Sequence, residues 1–98
     1  MSRAAVAEAK PDDWRTPLNA AGFANMAGQT ADARAWADQS VKAKATYQNL
    51  YLRAQIEAKG GQRDAAIKDA EAALALVGDN AEMKNEINGS INEWKSKK

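Results

Sequence analysis

Apolar positions recur at three- and four-residue intervals along nearly the whole chain, and no stretch alternates apolar with polar in the manner of a strand. The pattern predicts five main helices. The first begins near residue 13, or near residue 17 with Thr16 as N-cap and Pro17 in the first helical position, and ends by residue 27. Its expected core face is Leu18, Ala21 and Met26, with Trp14 stapled at the entry and Asp12 and Asp13 available as caps. A second helix is expected over 31–44, capped by Thr30, with Ala33, Trp36, Ala37, Ser40 and Val41 on one face. A third, over 47–59, carries Tyr47, Leu50, Tyr51, Ala54 and Ala58, and Gly60-Gly61 stops it. A fourth, over 63–77, has the cleanest stripe: Ala66, Ile67, Ala70, Ala73, Leu74 and Val77, closed by Gly78. The fifth, over 80–95, opens with Asp79 and Glu82 at capping-box spacing and shows Met83, Ile87, Ile91 and Trp94 on one side. Gly89 inside it costs about 1 kcal/mol relative to Ala. Upstream, residues 3–10 could form a short helix that Pro11 ends.

Residues 28–41, GQTADARAWADQSV, and 61–74, GQRDAAIKDAEAAL, are two versions of one segment, offset by 33 residues. Gly28 aligns with Gly61, Gln29 with Gln62, Ala33 with Ala66 and Ala37 with Ala70. The same offset pairs Ala21 with Ala54 and Phe23 with Ile56. A repeat of this length, made of helix formers, signals a helix–turn–helix array. Small residues at equivalent places let paired helices approach closely, and a larger side chain there would overpack at a cost of about 1–3 kcal/mol. Gly28 and Gly61 are expected in a left-handed turn conformation that Ala resists. The polar outer side of the fifth helix suits a cap that ends such a stack.

Composition narrows the chemistry. The 98 residues suffice for one domain with a thin core. Fourteen basic and 13 acidic residues leave a net charge of +1, which argues against nucleic acid, whose binding needs a concentrated basic face. Lys95, Lys97 and Lys98 form only a short basic helix end. With neither Cys nor His there is no thiol nucleophile, imidazole base, disulfide or Cys/His zinc site, and no cofactor is implied. No stretch has the length and apolarity of a membrane span, and MSRAAVAEAKP lacks the apolar run of a signal peptide. That pattern fits either a cytoplasmic protein or a segment of a longer exported one.

The segment YLRAQIEAKGGQRDAAIKDAEAALAL, from Ala54 through Gly61 to Ala73 and Leu74, resembles a tetratricopeptide repeat (TPR). The first unit is a degenerate version, with Pro17 where an aromatic or aliphatic residue is usual. A narrower resemblance rests on Trp14, Asn19-Ala20-Ala21, the run Trp36 to Ser40 and the run Ile91 to Lys95. These look like the C-terminal helical segment of an exported bacterial family of unknown function, in which a β-rich domain precedes about two TPR-like hairpins and a final helix. That resemblance implies no known activity. It implies a periplasmic or exported location and a natural polypeptide that starts before Met1.

The expected fold is all-α: two TPR-like antiparallel hairpins, over 13–44 and 46–78, with a capping helix over 79–98 and a lead-in, short helix or disordered, over 1–12. Stacked TPR hairpins form a right-handed α-α superhelix whose concave side is lined by the first helix of each hairpin. By that resemblance Arg15, Asn19, Asn25, Gln48, Tyr51, Gln55 and Lys59 line a candidate groove for an extended peptide, with Tyr51 as aromatic anchor. The clamp by which some TPRs hold a C-terminal carboxylate is not expected, because Leu18 and Gly22 stand at its positions. Carboxylate-pair catalysis is disfavoured: Asp12 and Asp13 read as caps, and Glu57, Asp69 and Glu71 as solvated faces. Gly60-Gly61 lacks the Lys-Ser/Thr of a phosphate loop. The expected function is a non-catalytic interaction module for a protein, a peptide or a neighbouring domain of a longer chain. Its rival is a purely structural extension that stabilises or dimerises a β-rich domain.

Overall fold

A computed structural model describes residues 13–96, and these are all-α, with five helices and no strand. Helix α1 spans Arg15–Met26, α2 Thr30–Ala43, α3 Tyr47–Lys59, α4 Arg63–Leu76 and α5 Ala81–Ser96. The expected lead-in over residues 1–12 lies outside the described residues. The chain divides between Ala45 and Thr46 into two compact units. In the first, α1 packs against α2; in the second, α3 packs against α4 and α5 packs on α4.

The repeated Gly-Gln pair explains the shape of both hairpins. At the end of α1 the Gly28 N–H donates to the Asn25 carbonyl at 3.2 Å, and the Gln29 N–H donates to the Ala24 carbonyl at 2.8 Å. At the end of α3 the Gly61 N–H donates to Ala58 at 3.1 Å and the Gln62 N–H to Glu57 at 2.8 Å. Both are Schellman closures, which require a left-handed residue at their centre. Gly28 and Gly61 supply it, with φ of 80° and 85°. Each Gln then faces the other way. The Gln29 carbonyl accepts from Ala33 at 2.9 Å and the Gln62 carbonyl accepts from Ala66 at 3.0 Å, the first intrahelical bonds of α2 and α4. One residue thus ends one helix and starts the next, and so short a connection leaves the two helices antiparallel neighbours.

Helix starts differ in detail from expectation. Thr16 is inside α1, not its N-cap. The cap is the Asp13 carboxylate, which accepts from the Arg15 and Thr16 N–H groups at 3.1 Å each and from the Thr16 hydroxyl at 2.6 Å. Pro17 therefore stands in the first turn, where its missing N–H costs nothing. Thr30 is the first residue of α2 and not its cap. At α3, Thr46 and Asn49 form a reciprocal capping box: the Thr46 hydroxyl accepts from the Asn49 N–H at 3.2 Å, and the Asn49 side chain accepts from the Thr46 N–H at 2.8 Å. Helix α5 is capped by the Asn80 side chain, which accepts from Met83 N–H at 3.2 Å, and the expected Asp79–Glu82 box gives way to it.

The core of the first unit is built mainly from small residues, and that of the second combines alanines with larger side chains. In the first unit Ala20, Ala21 and Ala24 of α1 are buried with Ala33, Ala37 and Ser40 of α2. Ser40 also ties the ends of the hairpin together, its hydroxyl donating to the Trp14 carbonyl at 2.6 Å. Leu18 is only half-buried, and Met26, expected in the core, is 86% exposed. The correction is one of helix phase: the face toward α2 is Pro17, Ala20, Ala21 and Ala24, and Met26 projects from the opposite side. In the second unit Leu50, Tyr51, Ala54 and Ile56 of α3 are buried, as are Ala66, Ala70 and Ala73 of α4 and Ile87 and Ile91 of α5. Met83 and Trp94 flank the two isoleucines half-buried, so α5 meets α4 through the stripe expected of it.

Gly61→Val should lower stability by at least about 1–2 kcal/mol, because an L side chain resists the left-handed region. Gly89→Ala should raise it by about 1 kcal/mol, since a Cβ there meets nothing within 4 Å. Urea midpoints with an unchanged slope check both, and a Gly61→Val midpoint equal to that of the parent would overturn the turn assignment. Removing α5 by ending the chain at Val77 uncovers α4 and loses the burial of Ile87 and Ile91, each worth about 1.5–3 kcal/mol as an upper range. The shortened chain should show a broadened urea transition by far-UV circular dichroism and bind a hydrophobic dye.

Candidate functional site

Helix α1 presents an exposed face that carries two large apolar side chains, Phe23 and Met26. Arg15, Asn19, Phe23 and Met26 are all exposed, and their spacing puts them on the side of α1 opposite its buried alanines. Phe23 is 63% exposed and Met26 86%, and with Leu76 they are the large exposed hydrophobics among the described residues. The stripe from Arg15 to Met26 runs about 16 Å along the helix at 1.5 Å per residue. One end is cationic and the other apolar, with the Asn19 amide between. Arg15 lies with its guanidinium carbon 4.7 Å from the centre of the Trp14 ring, a cation–π placement that restrains its base. The Thr16 hydroxyl bond, the Thr16 backbone N–H and then the Arg15 N–H and charge hold the Asp13 carboxyl below its ordinary value of 3.8, with desolvation acting against them.

Of the seven residues proposed to line a groove, three share an exposed face of α3: Gln48, Gln55 and Lys59, at intervals of seven and four residues. Arg15 and Asn19 share one on α1. Asn25 sits off that stripe and is half-buried. Tyr51 is not available as an anchor. It is 7% exposed, and its hydroxyl shares a 2.7 Å hydrogen bond with the Ser90 hydroxyl of α5. Its role is to join α3 to the last helix. Phe23 stands out as the residue that helical spacing did not assign: the repeat offset pairs it with Ile56, yet Ile56 is buried and Phe23 is exposed. The signal that separates them is the polar neighbourhood of Phe23 on its stripe, with Asn19 one turn before it.

Two of the three carboxylates read as solvated are not. Glu57 is buried within α3, and Asp69 of α4 takes both nitrogens of a fork from Arg53 of α3, with two contacts of 2.8 Å. Arg53 and Asp69 side chains are 21% and 14% exposed, so the pair is largely shielded and bidentate, the stronger kind of ion pair. It bridges α3 and α4 away from their turn. Arg34 and Asp38 make the looser surface counterpart within α2, at 3.3 Å.

A shallow depression at the start of α4 is lined by Gly61 to Ala65. It presents Gln62, Arg63 and Asp64 but no Lys-Ser/Thr sequence, in line with the absence of a phosphate-loop motif. Among the described residues no three acidic, His or Cys side chains stand together as metal ligands, and no helix is long and apolar enough to cross a membrane. Comparison of the chain with protein-family models, with curated proteins and with solved structures finds no match.

Arg53→Ala should destabilise the second unit by about 1–3 kcal/mol, since it strips a shielded carboxylate of its guanidinium, and Arg53→Lys should recover only part of the loss. Chemical denaturation measures both, and an Arg53→Ala variant as stable as the parent would show the pair to be incidental. Asp13 gives a pH signature. Its folded pKa is lowered, so its contribution is complete above the unfolded value of about 3.8 and disappears as pH falls through the folded value. The difference in thermal midpoint between the parent and Asp13→Asn should hold constant from pH 7 to about 5 and close as the pH drops below about 4.

Proposed function

We propose that this chain is a non-catalytic interaction module of the tetratricopeptide type, which holds a protein segment against the outer face of α1. The observation that carries the reading is the exposure of Phe23 and Met26 on a helix whose opposite face is fully packed. A large aromatic and a thioether stand one turn apart on this exposed face, and such residues are favoured as anchors at interfaces. The 33-residue sequence repeat, with the same Schellman closure in both hairpins, supports the tetratricopeptide assignment. The partner reads as a peptide, or a helix of a neighbouring domain, with an apolar side chain to cover Phe23 and Met26. An acceptor about 16 Å away would meet Arg15. Gln48, Gln55 and Lys59 offer a second, polar contact surface on α3.

The test is selection of binders from a random displayed-peptide library, followed by NMR titration of the isotope-labelled chain. Shift changes should centre on Asn19, Phe23 and Met26, and Phe23→Glu with Met26→Glu should weaken binding at least tenfold, with the urea midpoint unchanged. No selectable binder, or shifts that avoid α1, would overturn the proposal. Self-association in sedimentation experiments that the same substitutions abolish would instead favour the structural reading, in which this face joins two copies.

A further inference from the structure

We draw no further inference here: the strongest candidate, the exposed Phe23–Met26 edge of α1, already carries the proposed function, and nothing in the structure shows which partner covers it.

Discussion

Everything in the two hairpins depends on a backbone conformation that only glycine enters freely. Gly28 and Gly61 turn the chain into the left-handed region, and that turn lets the following glutamine close the helix behind it and open the helix ahead. The glutamine side chain is secondary, because the bonds that matter come from its N–H and its carbonyl. With the turn set in this way, the direction and rotational phase of α2 relative to α1, and of α4 relative to α3, are decided before any side chain packs. The alanines then fill the narrow space left between the helices.

A core made of alanine has a particular energetic character. Each buried methyl contributes little hydrophobic free energy, but alanine loses no side-chain entropy on burial and has the highest helix propensity. Stability therefore comes from many close backbone-to-backbone approaches, with a few larger elements in support. In the second unit those are Leu50, Ile56, Ile87 and Ile91, the Tyr51–Ser90 hydrogen bond and the Arg53–Asp69 fork. Among the described residues of the first unit no comparable aliphatic side chain is fully buried, and the packing rests on Pro17, the alanines and the Ser40–Trp14 tie.

Helix existence and extent were legible in the sequence because two strong signals coincided: helical periodicity and a glycine at each turn. Helix α3 matches its expected span, α4 ends one residue earlier than expected, and α2 and α5 are each displaced by one residue at both ends. Caps were less legible. Asp13, Asn80 and the Thr46–Asn49 box are each one of several polar residues near a helix start, and which one caps depends on backbone angles that residue type does not reveal. The candidate site was the least legible. Met26 was assigned inward and is exposed, while Tyr51, placed both on the apolar stripe of its helix and at the groove as an anchor, is buried. In a helix where alanine is the packing residue, a large apolar side chain no longer marks the core. The usual equation of size with burial then fails, and Phe23 is overlooked for the same reason. Glu57 and Asp69 were misread in the converse way, as charges that tertiary contacts draw inward.

The double duty of the Gly-Gln pair also decides where the chain can change length. A residue inserted between Gly61 and the first turn of α4 would rotate that helix by about 100° and swing Ala66, Ala70 and Ala73 away from α3. The connections at 44–46 and 77–80 carry no such obligation, because α3 and α5 are started afresh by caps of their own, Thr46 and Asn80. Variants of this protein that differ by insertions and deletions should therefore accumulate them at those two joints, and the hairpin turns should stay at constant length while their surroundings drift.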